Sequence, residues 1–190
     1  MSHFFTVVIV PGNTEFDQIE SKVQELLSPF NENLTVEPYK VYFDAEEIQQ
    51  MADFYEVSAQ NLAALAKKMI DWTGQEGGVD DKGLYKITTY NPKSKWDWYT
   101  IGGRYDGRLK GEASNTDEGL YRNILLAKQL EQKLKCFAII TPDGEFHERG
   151  QMHWFGIVTD QKENDDWDEE IIKTIQKYQN DILVAVDCHI

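Results

Sequence analysis

The chain has 190 residues and a formal net charge of −14, and 41% of its residues are apolar. This length predicts one domain, or one domain with an insertion, and the apolar fraction excludes a disordered acidic polymer. The charge argues against direct binding to nucleic acid, and no apolar run approaches the roughly 20 residues that span a bilayer. We therefore expect a cytoplasmic protein with neither a nucleic-acid nor a membrane partner.

The first elements alternate between strand and helix. Residues 4–10 form a continuous apolar run, which predicts a strand buried on both faces rather than a signal peptide. Thr14 and Asp17 resemble a capping box, and the helix that follows ends at Pro29. Residues 34–43 predict an edge strand or an extended loop, because a proline interrupts the run.

A helical insertion is predicted over residues 44–72. Asp44 with Glu47 is a capping box for one helix, and Ser58 begins another. The remaining predicted elements are a loop at 73–83, a strand at 84–90, a loop at 111–119, a helix at 121–134, strands at 136–140 and 153–159 with a hairpin turn at 142–144 between them, a helix from 165 to 178, and a strand at 182–190.

This order of elements predicts a single α+β domain over residues 1–190. Strand–helix–strand units stand at both ends of the chain, which favours a ferredoxin-like α/β sandwich with the helical insertion. A mostly parallel sheet is the alternative. Cys136 and Cys188 each lie in an apolar run, which favours reduced core thiols over a disulfide.

Residues 93–110, here called the aromatic segment, carry a local net charge of +3, with five Lys or Arg against two Asp. Glycine pairs allow close backbone approach and anion-binding turns, arginine offers a fork suited to phosphate, and aromatic rings stack on flat ligands. The predicted ligand-binding residues are Trp96, Trp98, Tyr99, Gly102, Gly103 and Arg104. The alternative is an ordinary strand with a bulge at the glycines, in which Asp97 forms a structural salt bridge.

Candidate catalytic residues lie nearer the C-terminus. His147 and His153 could act as acid–base groups or metal ligands, although their spacing does not match the zinc-protease motif. Asp187 and His189 project to one face of a predicted strand and form a similar candidate pair. For each histidine the alternative is an ordinary hydrogen-bonded role, and His3 is expected to be incidental. The sequence identifies no cofactor and no particular metal.

Several strings resemble a family of bacteriophage and prophage proteins. They are NPKSKWDWY at 91–99, IGGR at 101–104, PDGEFH at 142–147, WFG at 154–156 and VDCHI at 186–190. The resemblance covers roughly the C-terminal half and implies a phage origin without implying an activity. Tyr105 stands where the family pattern leads us to expect tryptophan, and stacking would be preserved. A phage origin favours a role directed against a host defence system.

Two functional hypotheses follow. In the first, the aromatic segment and the histidines form one site that binds a phosphate-bearing small molecule, such as a nucleotide, and hydrolyses or sequesters it. In the second, the protein is an acidic inhibitor or nucleic-acid mimic of a host protein, acting through surfaces such as residues 15–25 and 160–170. A small virion or assembly protein is a third alternative.

Overall fold

The computed structural model describes residues 2–111, 117–153 and 157–190. The chain divides into two compact units, Met1–Leu34 with Pro92–Ile190, and Thr35–Asn91. The helices are α1 (Ile19–Leu27), α2 (Ala45–Tyr55), α3 (Leu62–Thr73) and α4 (Asn164–Lys177). The strands are β1 (His3–Val10), β2 (Tyr39–Tyr42), β3 (Gly77–Asp80), β4 (Gly83–Thr88), β5 (Trp98–Ile101), β6 (Ile124–Leu126), β7 (Ala138–Ile140), β8 (Phe146–Glu148), β9 (Gln151–Met152), β10 (Val158–Thr159) and β11 (Ile182–His189). Within the described ranges, no helix has both the length and the apolar character needed to cross a bilayer.

The first unit is built on a sheet in the order β5-β11-β1-β7-β8, and β6 also pairs with β11. Its centre is the antiparallel pairing of β1 with β11, which runs from His3↔His189 to Val10↔Ile182. In both strands every residue after the first is buried, because the sheet is covered on both faces. The buried strands predicted at residues 4–10 and 182–190 are confirmed.

Each face of this sheet carries one helix, because side chains along a strand alternate between its two faces. Val8 packs in one core with Val23 of α1, whereas Val7 packs in a second core with Trp167 and Ile171 of α4. Each aliphatic side chain buried in this way contributes roughly 1.5–3 kcal/mol. The two helices therefore hold the sheet between two separate cores.

The α+β class is confirmed, since helices accompany a sheet in which β7 runs parallel to β1 and the other pairs are antiparallel. The ferredoxin-like detail is not confirmed. Such a sandwich would place both helices on one face of the sheet, but α1 and α4 lie on opposite faces. The helices lie on opposite faces because β1 and β11 are apolar on both faces, and each face is buried by packing against a helix.

The second unit has its own sheet, in the order β2-β4-β3, and its own core. The capping box at the start of α2 is confirmed: the Asp44 side chain accepts from the Glu47 amide at 2.8 Å, and the Glu47 side chain accepts from the Asp44 amide at 2.9 Å. The two helices expected over residues 44–72 are present as α2 and α3, but α3 begins at Leu62 with Asn61 as its N-cap rather than at Ser58. The loop expected at residues 73–83 instead contains β3, which forms a hairpin with β4.

Residues 121–134 do not form the predicted helix. They contain β6, which pairs with β11, between 3₁₀ turns at Gly119–Asn123 and Ala127–Gln129. Ile124 packs against the core beneath α1, whereas Leu125 packs against the core beneath α4. Pairing with β11 thus buries apolar residues on both faces at once, which a helix on one face could not do, and this tertiary gain overrides helical propensity.

Two further predictions differ from the structure or fall partly outside it. The capping box expected at Thr14 is absent, because the first turn begins after Glu15 without a side-chain cap. The strand expected at residues 153–159 is described only at its ends, where β10 pairs with β9. Residues 154–156, and residues 112–116 of the loop expected at 111–119, lie outside the described residues.

Both cysteines are free and buried, as predicted. Cys136 lies in the core beneath α4, and Cys188 lies in the core beneath α1, so the sheet separates them. Burial raises the pKa of the Cys136 thiol and raises the pKa of Cys188 to about 12. The thiolate is the reactive form of cysteine. Both thiols are therefore protected from modification by packing, which excludes reagents, and by protonation, which removes the thiolate.

We expect neither cysteine to be modified by a thiol reagent at about pH 8 in the folded protein, because almost no thiolate is present and no reagent reaches it. In denaturant both should react within minutes. Intact-mass spectrometry after timed alkylation measures the number of adducts. An adduct on the folded protein, at a rate faster than unfolding, would contradict the packing of that cysteine.

Candidate active site

The structure divides the aromatic segment between the core and the surface. Trp96 is 5% exposed, its ring lies 5.1 Å from that of Tyr99, and its Nε1 donates to the Leu27 carbonyl at 3.1 Å. Trp98 is 43% exposed and lies on the opposite face of the sheet. Trp96 and Tyr99 therefore serve the packing of the core beneath α1, whereas Trp98 is available at the surface.

Trp98 belongs to a row of three rings that the strand register creates. His189 on β11 pairs with His3 on β1 and with Trp98 on β5, so the three side chains stand side by side on the α4 face. The Trp98 and His189 rings stack at 4.9 Å, and the His3 ring meets the His189 ring edge-on at 5.0 Å. Two imidazoles from the two ends of the chain are thereby held in contact.

Each imidazole in this row is paired with a carboxylate. His3 Nδ1 lies 2.8 Å from Asp187 Oδ1, and His189 Nδ1 lies 2.6 Å from Asp97 Oδ1. Asp187 and His189 are only 2% and 3% exposed. Because an ionised carboxylate can only accept, Nδ1 is the protonated nitrogen in each neutral ring, and Nε2 carries the lone pair. We call these pairs the two dyads.

A backbone amide orients each carboxylate in turn. The Trp98 amide donates to Asp97 Oδ1 at 2.8 Å, and the Arg104 amide donates to Asp187 Oδ2 at 3.0 Å. Amide, carboxylate and imidazole thus form a chain in both dyads, the arrangement that fixes ring orientation and tautomer in catalytic triads.

The glycine pair serves this arrangement rather than an external anion. Gly102 and Gly103 both have positive φ, 75° and 55°. A Cβ added at Gly103 would lie 2.6 Å from the Asp187 side chain, so only glycine allows the turn to pass this close. The turn predicted to bind an anion does bind one through the Arg104 amide, but that anion is the Asp187 carboxylate.

The Arg104 side chain is exposed, and it forms no ion pair with any residue in the described part of the chain. It lies near Tyr105, whose ring stacks on Phe5 at 4.8 Å. Burial raises the pKa of the Tyr105 phenol, and the Asp187 charge raises it further, although Arg104 and Arg108 lower it in part. Tyr105 therefore remains a neutral hydroxyl that can donate a hydrogen bond at neutral pH.

The other two candidate histidines are not brought to the dyads. His147 on β8 pairs with Ile139, which in turn pairs with Val7 on β1. Val7 is four residues from His3, so His147 is displaced from His3 by roughly 13 Å along the strand direction. Its Nδ1 lies 3.0 Å from Glu170 Oε1 of α4. Burial alone would raise the pKa of Glu170, but hydrogen bonds from Lys162 and His147 outweigh it and the pKa is lowered.

His153 is exposed, and its Nε2 lies 2.8 Å from the Thr159 hydroxyl, between the short strands β9 and β10. The composite site predicted from His147, His153, Asp187 and His189 is therefore reduced to Asp187 and His189. His3 and Asp97 complete it. In the part of the chain that the structure describes, no cluster of three or more His, Cys, Asp or Glu is arranged to hold a metal ion.

His3 also lines a cavity of about 300 Å³, here called the His3 cavity. Two cations, Lys135 and Arg149, lie in its wall, together with the aromatic side chains of Tyr105 and Phe137. Lys135 is 3.2 Å from Asp168, and Arg149 donates to the Asn164 amide oxygen at 2.6 Å. The His3 cavity therefore presents an imidazole, two cations, the carboxylate of Asp168 and aromatic rings to one ligand-sized space.

Sequence reasoning missed His3, Lys135 and Arg149. His3 could have been found from the pairing of the two terminal strands, since both carry a histidine at the same end of the sheet. Lys135 and Arg149 gave no comparable signal. Comparison with protein-family models, with curated proteins and with solved structures finds no match to this chain.

We expect the two tryptophans to behave in opposite ways when truncated. Trp96→Ala removes a buried ring and should lower the free energy of unfolding by about 3–5 kcal/mol. Trp98→Ala removes a half-exposed ring and should cost about 1 kcal/mol or less. Urea denaturation followed by circular dichroism measures both. Equal losses for the two variants would contradict this division of the aromatic segment.

Proposed function

We propose that this protein binds a phosphate-bearing small molecule, a nucleotide, in the His3 cavity and cleaves its phosphate ester by acid–base catalysis. The observation that carries the proposal is the position of His3. Its Nδ1 is held by Asp187, and its ring faces a space that also contains Lys135 and Arg149. An oriented imidazole beside two cations suits a reaction that moves a proton while negative charge grows on phosphate oxygens.

In the proposed reaction, one imidazole, that of His3, serves first as proton acceptor and then as proton source. His3 Nε2 accepts a proton from a water molecule as the water oxygen bonds to phosphorus. The bond from phosphorus to the leaving oxygen, on the side opposite the attacking water, breaks. The imidazolium then returns the proton to that oxygen through a bridging water molecule. Lys135 and Arg149 would stabilise the charge on the phosphoryl oxygens, and Arg104 at the surface nearby would add a third cation. The neutral hydroxyl of Tyr105 would donate a hydrogen bond in the same space.

Positioning residues complete the proposed site. The Asp187 carboxylate, held by the Arg104 amide, would keep His3 in the tautomer with a free Nε2. His189 is buried between His3 and Trp98, so it would fix the His3 ring rather than touch the ligand. Tyr105 and Phe137 would contact the nucleobase. In a phage setting, cleaving or sequestering a signalling nucleotide would counter a host defence.

A second candidate, an acidic inhibitor of a host protein, is favoured by the net charge of −14. The acidic run at residues 160–170 supports it only in part. Asp168, Glu169 and Glu170 form ion pairs with lysines, and Glu170 also pairs with His147. These pairs reduce the free negative charge of the run and so weaken the support for an inhibitor. The dyads support the nucleotide-cleaving function more strongly.

We expect the wild-type protein to be stabilised by nucleotides in a thermal-shift panel and to release a product that chromatography detects. His3→Asn should lower kcat/KM by roughly 10²–10⁴, because the general base is removed. Asp187→Asn should have a similar effect, because the tautomer of His3 is no longer fixed. Arg104→Ala keeps the backbone amide and should weaken binding without abolishing the reaction.

His153→Gln is the matched control, since this exposed histidine bonds Thr159 and does not line the His3 cavity. Its rate should equal that of the wild type. Full activity of His3→Asn would overturn the proposed mechanism. The inhibitor function would be supported instead if no nucleotide shifts the melting temperature and if a host protein binds tightly with an affinity that falls steeply as salt is added.

A further inference from the structure

We infer that a second anion-binding subsite adjoins the His3 cavity, so that the ligand carries two separated phosphates. A neighbouring cavity of about 370 Å³, here called the Arg108 cavity, is lined by Arg108, Arg122 and Lys133. Phe5 and Lys135 line both cavities, so the two spaces meet at these side chains. A ligand that occupies the His3 cavity can therefore extend past Phe5 into the second one.

The Arg108 cavity concentrates positive charge in an acidic protein. Four cations line it, namely Arg108, Arg122, Lys133 and Lys135, against the carboxylate of Asp106. Asp106 pairs with Arg122 at 2.7 Å, and the hydrogen bonds from Asn123 and Arg122 lower the pKa of Asp106, which keeps the ion pair charged. This pair neutralises one of the four cations.

The two lysines share one carboxylate. Asp168 is paired with both Lys133 and Lys135, so one negative charge faces two positive ones. Arg108 forms no ion pair with any residue that the structure describes. Lys135 is left to the first phosphate, so Arg108, Arg122 and Lys133 remain against Asp106 and Asp168. Among the residues that the structure describes, this is a surplus of one positive charge, which favours a phosphate group.

Hydrogen bonds fix the backbone in the wall of the Arg108 cavity. The Asn123 side chain accepts from the buried Gly107 amide at 3.0 Å and donates to Asp106 at 2.8 Å. The Gln132 side chain donates to the Leu109 carbonyl at 3.1 Å. These bonds join three separate segments of the chain around one space, so the backbone that carries Arg108 is fixed before a ligand arrives.

The ligand class that fits both cavities is a short oligonucleotide, linear or cyclic, and this inference rests on the proposed function of the His3 cavity. One phosphate would lie beside His3 and a second among Arg108, Arg122 and Lys133. The aromatic pair of Phe5 and Tyr105, stacked at 4.8 Å, lies beside the point where the cavities meet and offers a surface for the intervening nucleoside. A long nucleic acid is disfavoured, since the chain as a whole carries −14.

The test compares two ligands that differ by one phosphate. The full-length His3→Asn variant binds without cleaving, and its Kd is measured by calorimetry for the dinucleotide ApA and for 5′-phosphorylated pApA. We expect pApA to bind at least about tenfold more tightly than ApA. Arg108→Gln and Lys133→Gln in the same background should remove that preference and leave the Kd for ApA unchanged.

Lys22→Gln is the control, because it makes the same charge change on α1, on the opposite face of the sheet, and should keep the preference. A cyclic dinucleotide, measured alongside, distinguishes a cyclic from a linear source of the two phosphates. Equal Kd values for ApA and pApA would overturn the second subsite. Cleavage of ApA by the wild type would in that case still support the proposed function of the His3 cavity. Binding of none of the three ligands would overturn both.

Discussion

The antiparallel pairing of β1 with β11 organises both cores and the candidate site. It joins the two ends of the chain over eight residue pairs and supplies the central strands for both cores. The same register places His3 opposite His189, so the pairing that builds the core also builds the dyads. A slip of one residue would send His3 to the other face of the sheet and would expose apolar side chains along both strands. Fold and site are thus stabilised by the same interaction.

Asp187 links this sheet to the aromatic segment. Its carboxylate accepts from the Arg104 amide and lies against His3, and the glycine pair exists to let the backbone pass within reach. A buried carboxylate with both oxygens engaged is costly to desolvate but orients its partners strongly. The aromatic segment therefore contributes by holding a protein carboxylate in place, and its exposed part, Trp98 and Arg104, borders the dyads.

The elements that the sequence predicted well are those with strong local signals. The terminal strands follow from continuous apolar runs, and the start of α2 follows from the capping box at Asp44. Where long-range pairing decides the outcome, local signals failed: residues 124–126 have helical spacing but join β11, and the two helices of the first unit cover opposite faces. His3 was missed for the same reason, because its partner Asp187 lies 184 positions away and no local pattern reports that contact. Asp187 and His189 were found because alternation along one strand is a local property.

The most direct test of the dyads is a long-range ¹H–¹⁵N correlation spectrum of the histidine rings in the folded protein. With both rings neutral, we expect His3 and His189 to carry the proton on Nδ1 and to leave Nε2 unprotonated, because Asp187 and Asp97 accept from Nδ1. Replacing Asp187 with alanine should change the pattern of His3 and leave that of His189. A proton on Nε2 of both rings in the unmodified protein would contradict both dyads, since neither Nδ1 would then donate to its carboxylate.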